Sequence, residues 1–78
     1  MTTNRIQRYP KFRFRQQWLD YATMLHDECG RFLRAVVRYG LYEEAPGHLS
    51  ASAFEYFDGV VRPDLDRQHD RMKKGGKA

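Results

Sequence analysis

Cysteine and long apolar runs are the features that this sequence most lacks. Its single cysteine, Cys29, excludes an internal disulfide, and one thiol beside three scattered histidines offers no zinc-ligand spacing. No stretch approaches the roughly 20 apolar residues of a membrane span, and the basic N-terminus is not followed by the apolar segment of a signal peptide. We therefore expect a cytoplasmic protein without membrane contacts, disulfides, metal ions or other cofactors.

The chain is also too short for two domains, because 78 residues barely enclose one apolar core. Hydrophobic residues make up 41% of it and charged residues 31%, a balance typical of a small soluble helical domain and not of a disordered segment. In chains of this size apolar burial barely exceeds the conformational entropy lost on folding. We therefore expect modest stability, or stability gained from a partner such as a second copy bound through the last helix.

Acidic residues are absent from the first 15 positions, where five bases give a charge of +5. Residues 16–61 hold three arginines and seven acids, a charge of −4, and residues 62–78 hold six bases and three acids, a charge of +3. Two cationic ends on an acidic body suit a polyanion such as nucleic acid, because released counterions favour association. Basic chain ends are also common as plain solvated surface, and this alternative stays open.

A strictly alternating pattern spans residues 11–15. Phe12 and Phe14 fall on one side and the bases on the other, which is the period of an extended strand. No second alternating run is present to pair with it. We therefore predict a short extended N-terminal arm whose two phenylalanines dock onto helices.

The next two segments have the apolar spacing of helices. In the first, residues 15–25, apolar positions recur at i, i+3, i+4 and i+7; they are Trp18, Tyr21, Ala22 and Leu25. The second is capped by Asp27 and ends near Tyr42, and two adjacent apolar stripes predict that most of it faces protein. The stripes consist of Phe32, Ala35, Val36 and Tyr39, and of Leu33, Val37 and Gly40.

A third helix begins after a loop, with either Ser50 or Ser52 as its N-cap. Pro63 interrupts its pattern and predicts a kink, because the proline ring meets the carbonyl of Gly59. The sequence thus predicts an all-α fold: a flexible basic arm at 1–10, a three-helix domain at 11–74 and a frayed basic tail at 75–78.

Several short motifs are spread over about residues 11–77: Phe12 and Phe14, Tyr39-Gly40-Leu41-Tyr42, Pro46, Ala53-Phe54, Arg62-Pro63-Asp64-Leu65-Asp66, Arg71 and Lys74-Gly75-Gly76-Lys77. Together they resemble the motifs of a family of small phage and mobile-element domains. Such domains resemble the N-terminal parts of phage replication-initiation or replisome-organiser proteins, where a Lys-Gly-Gly stretch leads into a basic linker and a further domain. The resemblance implies a role in a replication complex and supplies no catalytic residues. Because this sequence stops at Ala78, a stand-alone adaptor or inhibitor is an alternative expectation.

Three arginines at i, i+3 and i+7 occupy a sector of about 60° on the second helix, opposite much of its apolar surface. Arg31, Arg34 and Arg38 suit phosphates or an acidic protein surface, because a guanidinium binds oxyanions bidentately. A solvated face is the alternative, since Asp27 and Glu28 lie one turn earlier and partly neutralise the arginines. The complete set of predicted binding residues is Arg31, Arg34, Arg38, Arg13, Arg15, Arg67, Arg71 and Lys74.

Catalytic chemistry is not expected. Cys29 lies in the first turn of the second helix, close to His26, but adjacent acids oppose thiol activation and so short a chain offers little room for a pocket. Most aromatic side chains are needed for the core, so only Tyr9, Tyr42 and Tyr56 are candidates for exposure, and stacking with bases is the less favoured interpretation.

The sequence therefore predicts a non-enzymatic binding module of phage or mobile-element origin. Its expected partner is nucleic acid or a nucleic-acid-handling replication complex, and no small-molecule substrate is expected. A small inhibitor or adaptor that binds a host protein machine, such as a defence complex, is the alternative. A homodimer is a third possibility.

Overall fold

The fold is all-α, as predicted. A computed structural model describes residues 7–75, and within that range it contains helices and turns but no strand. The helices are α1 (Gln16–Thr23), α2 (Cys29–Tyr42), α3 (Ala51–Tyr56) and α4 (Arg62–Gly75). A 3₁₀ turn (His26–Glu28) precedes α2, and a π-helical turn (Phe57–Val61) joins α3 to α4, so that residues 51–75 form one long interrupted helix.

The turn between α1 and α2 differs from the prediction. The predicted cap Asp27 lies inside the 3₁₀ turn, α2 is preceded by Glu28, and no side chain caps its N-terminus. Glu28 bonds elsewhere: its carboxylate accepts the backbone N–H of Ser50, at the start of α3. The prediction of an Asp27 cap is therefore wrong, because a tertiary contact of Glu28 and a left-handed residue at His26 (φ 54°) determine the local geometry.

One face of α2 is buried, as the first of its two apolar stripes predicts. Phe32 and Val36 are fully enclosed, and Tyr39 is 7% exposed. The second stripe is only partly covered, since Val37 is 40% exposed and Leu33 is half-buried. The expectation that most of α2 faces protein is wrong at Val37, because none of the helices described in the structure covers that side.

The long C-terminal helix begins and is interrupted where the sequence predicts. Ser50, not Ser52, is the N-cap, and its hydroxyl accepts the Ala53 N–H at 3.3 Å. The interruption takes the form of a π turn in which the Arg62 N–H donates to the Phe57 carbonyl. Pro63 has no N–H to continue the ordinary ladder, and the wider turn accommodates its ring.

Aromatic rings fill the core between the helices. Rings of Phe32 and Phe57 meet edge-on at 6.5 Å between centroids, and Tyr39 meets Phe57 at 5.9 Å. Tyr21 stacks flat on Tyr56 at 3.8 Å. Edge-on and stacked aromatic pairs add to the free energy of burial. The buried cluster comprises Trp18, Ala22, Phe32, Ala35, Val36, Tyr39, Phe57, Val61 and Leu65.

The arm, residues 7–15, is non-helical and packs against the helices. Phe12 packs against the core at α2, and Phe14 meets Trp18 edge-on at 5.4 Å, so the predicted docking is confirmed. Tyr9 is 5% exposed, which makes its predicted exposure wrong: its ring stacks on His69 at 3.8 Å. The rest of the predicted flexible arm, residues 1–6, and residues 76–78 of the predicted tail lie outside the described residues.

No helix within residues 7–75 combines the length and the apolar character needed to cross a membrane.

Candidate nucleic-acid interface

The arginine face of α2, made up of Arg31, Arg34 and Arg38, is exposed in the structure. The buried face of the same helix, centred on Phe32 and Val36, fixes its rotation and turns the three guanidinium groups outward. None of the ion pairs between described residues includes any of the three. Along the axis they extend over about 10 Å, which is long enough to contact successive phosphates of one strand.

The acids expected to neutralise this face do not pair with it among residues 7–75. The Glu28 carboxylate accepts the Ser50 N–H, and this hydrogen bond, more than the nearby charge of Arg31, lowers the pKa of Glu28. Asp27 is exposed in the 3₁₀ turn and is not in an ion pair with a described residue. The arginine face therefore keeps most of its positive charge for a partner.

A second cationic surface lies between the arm and α4. Arg13, Arg15 and Arg71 line one open groove of about 870 Å³. Lys11 lines it too, although the sequence prediction omitted this residue. The signal that could have identified it was the alternation that sets Lys11 on the same side as Arg13 and Arg15. We call this feature the arm groove; its lining is completed by Pro10, Phe12, Gln68 and Met72.

Arg15 differs from the other bases of the arm groove because an acid already occupies its guanidinium. Its Nε and Nη2 donate to the two carboxylate oxygens of Asp64 at 2.8 and 3.0 Å. This bidentate pair raises the pKa of Arg15 and holds the pKa of Asp64 below its ordinary value. Arg15 therefore fastens the arm to α4, and its predicted role in partner binding remains a prediction.

Gln68 holds the arm in a way that no sequence pattern indicated. Its Oε1 accepts the Arg13 N–H at 2.7 Å, and its Nε2 donates to the Arg13 carbonyl at 3.2 Å. The side-chain amide thus pairs with one arm residue as a neighbouring strand would. The same Nε2 also lies 3.2 Å from Asp64 Oδ1, so Gln68 connects the arm with the Arg15–Asp64 pair.

The two remaining predicted residues on α4 lie apart from the arm groove. Arg67 lines a smaller cavity of about 380 Å³ in which Glu43, Asp66 and Asp70 supply negative charge. Lys74 is exposed and lines neither cavity. The structure therefore brings Arg13, Arg15 and Arg71 together and leaves Arg67 and Lys74 outside that group.

His69 is a buried polar residue that the sequence prediction did not assign to binding. It is 2% exposed, and its Nε2 lies 3.0 Å from the Gly40 carbonyl, so Nε2 carries the proton of this hydrogen bond. Its Nδ1 lies 4.0 Å from the Glu43 carboxylate. The Tyr9 ring covers the imidazole, and the Tyr9 hydroxyl lies 3.5 Å from the same carboxylate. These contacts give His69 a structural role in docking the arm.

Tyr39, whose ring lies next to His69, makes further polar contacts with α4. Its hydroxyl donates to Asp66 on α4, and the Arg62 guanidinium lies over its ring at 5.8 Å. Burial, with a contribution from the Asp66 hydrogen bond, raises the pKa of Tyr39 to about 12. Among residues 7–75 no group of three or more His, Cys, Asp or Glu side chains is arranged to hold a metal ion.

Comparison of the chain with family models, with curated proteins and with solved structures finds no match. The resemblance to phage and mobile-element domains therefore rests on the sequence motifs alone.

Proposed function

We propose that this protein is a non-enzymatic binding module that associates with nucleic acid through the arginine face of α2. The observation that supports this most directly is the exposure of Arg31, Arg34 and Arg38 without an ion-pair partner among the described residues. Such a face binds phosphates by releasing counterions and needs no preformed pocket.

The packing of α2 against the core also supports this function. Buried aromatic and aliphatic side chains hold the helix, so its arginines are displayed on a fixed element and not on a mobile loop. Positioned guanidinium groups lose less entropy on binding than groups on flexible segments do. Because the motifs resemble those of phage replication-initiation proteins, we propose that this binding serves a replication complex.

Salt dependence provides the test. The full chain would be titrated into fluorescently labelled random-sequence duplex and single-stranded DNA, and anisotropy measured at several salt concentrations. We expect affinity to fall steeply with salt. In the Arg31→Gln, Arg34→Gln, Arg38→Gln variant, the slope of log affinity against log salt concentration is expected to become shallower by up to about 0.9 for each phosphate contact with the duplex that is lost.

A matched control separates a specific surface from net charge. Arg34→Gln and Arg62→Gln each remove one positive charge, but the Arg62 guanidinium is paired with Asp58 at 2.8 Å. We expect Arg34→Gln to weaken binding more than Arg62→Gln does. Equal effects would mean that only the overall charge matters, and no binding at low salt would refute the proposal.

A further inference from the structure

The arm groove combines an apolar floor with a positively charged rim. Phe12 and Met72 are half-buried in its lining, whereas Lys11, Arg13 and Arg71 are exposed. We propose that the arm groove binds an acidic peptide segment of a partner protein, with an apolar side chain of that segment anchored against Phe12 and Met72. This site is separate from the α2 arginine face and does not depend on it.

The volume of the arm groove and the flexibility of its floor suit an apolar side chain of the bound peptide. A volume of about 870 Å³ falls within the range of roughly 300–1,000 Å³ that is common for binding clefts. Met72 contributes a flexible thioether that adapts to anchors of different shape, and Phe12 contributes a flat apolar surface. Burial of a leucine-sized side chain there removes apolar surface from water on both partners.

Charge determines the chemistry of the occupant. Four of the eight described residues that line the arm groove are cationic and none is acidic. Asp64 balances Arg15, whereas Lys11, Arg13 and Arg71 are in no ion pair with a described residue. Three positive charges that form no ion pair within residues 7–75 surround an apolar floor, and they complement carboxylates that flank an apolar residue.

The hydrogen bonding of the floor favours a peptide over a nucleobase. Gln68 is the buried polar side chain of the lining, and it already bonds to both backbone groups of Arg13 and to Asp64. It therefore has little capacity left to read the donors and acceptors of a base edge, and a base inserted there would leave polar atoms unpaired. An aliphatic side chain loses no hydrogen bonds in the same position.

The test uses a fluorescent peptide with central leucines flanked by glutamates, titrated against the full chain. Two companion peptides replace either the leucines by alanine or the glutamates by glutamine, and an unlabelled oligothymidine competes for the site. We expect the parent peptide to bind at least about tenfold more tightly than either companion, because anchor and charges both contribute. Its binding is expected to shift the Met72 methyl resonance.

Matched double variants locate the site. Lys11→Gln with Arg71→Gln removes two rim charges, and Arg34→Gln with Arg38→Gln removes two charges from α2. We expect about tenfold weaker peptide binding for the first variant and less than a twofold change for the second. Because both variants alter only exposed side chains, circular dichroism is expected to show an unchanged fold.

A further variant, in the floor of the arm groove, keeps the proposal testable if removal of the rim charges disturbs the arm. Met72→Glu places a carboxylate among the anchor contacts and is expected to abolish peptide binding while circular dichroism shows an unchanged fold. The proposal fails if the parent peptide does not bind, if the alanine companion binds equally well, or if the rim variant has no effect. Displacement of the peptide by low concentrations of oligothymidine would instead assign the arm groove to nucleic acid.

Discussion

At position 40 a missing side chain lets the arm approach α2. A Cβ added to Gly40 would lie 2.5 Å from Cδ1 of Phe12, closer than atoms can approach without displacement. We expect Gly40→Ala to push the Phe12 ring out of its site and to destabilise the fold by about 1–3 kcal/mol, as overpacking does. Urea denaturation at pH 7 would measure the change.

Gly30 in the same helix provides the control. A Cβ there meets no atom within 4 Å, so Gly30→Ala is expected to gain the ordinary helix preference of alanine, about 0.5–1 kcal/mol. The two glycines thus predict opposite signs for one substitution. If Gly40→Ala is as stable as Gly30→Ala, the docking of Phe12 against α2 is not tight.

Tyr39 links stability to alkaline pH. Its pKa is raised to about 12 because the folded state buries the hydroxyl, whereas in the unfolded chain the hydroxyl has its ordinary pKa of 10.0. The unfolded state therefore loses this proton first, and stability falls as the pH rises between 10 and 12. We expect Tyr39→Phe to flatten this decline in a series of urea titrations, although it also removes the bond to Asp66. An unchanged decline would show that Tyr39 is not its source.

At the scale of elements, one side chain holds the arm on α4. Gln68→Met keeps the length of the side chain but removes its hydrogen bonds to the Arg13 N–H and carbonyl. We expect a loss of about 1–3 kcal/mol and much faster hydrogen exchange at the Arg13 amide, measured by NMR. Gln17→Met, on the exposed side of α1, is the control and is expected to leave that amide protected. Equal Arg13 exchange in both variants would contradict this role of Gln68.

Helical periodicity predicted the elements well, because burial of a regular apolar stripe is a local signal. The stripe of Phe32, Val36 and Tyr39 is buried, and the interruption near Pro63 lies where its missing N–H requires it. Contacts between distant residues have no such signal. The bond from Glu28 to Ser50 displaced the predicted Asp27 cap.

The two candidate sites differ in the same way: local spacing predicts the first, whereas the second depends on contacts between distant residues. Arg31, Arg34 and Arg38 share a helix face, and their spacing alone predicted that they lie together. The arm groove lies between residues 10–15 and residues 68–72, and its geometry depends on Gln68. The sequence did not indicate this role, because a glutamine in a largely charged helix segment is expected to be exposed. Sequence reasoning named three of its four bases but could not place them around one groove.

For the molecule as a whole, the uneven charge distribution contributes to folding as well as to the proposed binding. The basic N-terminal segment meets the C-terminal helix in an ion pair between Arg15 and an acid of that helix, Asp64. That pair joins residues 49 positions apart in sequence. The rim of the arm groove therefore depends on a contact that changes with the protonation of one carboxylate.

This dependence predicts acid sensitivity of the arm. The Arg15 hydrogen bonds lower the pKa of Asp64 from its ordinary 3.8, so the folded state binds its proton less readily than the unfolded chain. The stabilisation is fully present above about pH 4 and is lost as the pH falls through the lowered value. We expect Asp64→Asn to be less stable at pH 7 and to lose less further stability between pH 7 and pH 3 than Asp58→Asn, which removes an exposed pair with Arg62. Thermal unfolding at both pH values measures this, and equal losses in the two variants would show that the Arg15–Asp64 pair does not hold the arm.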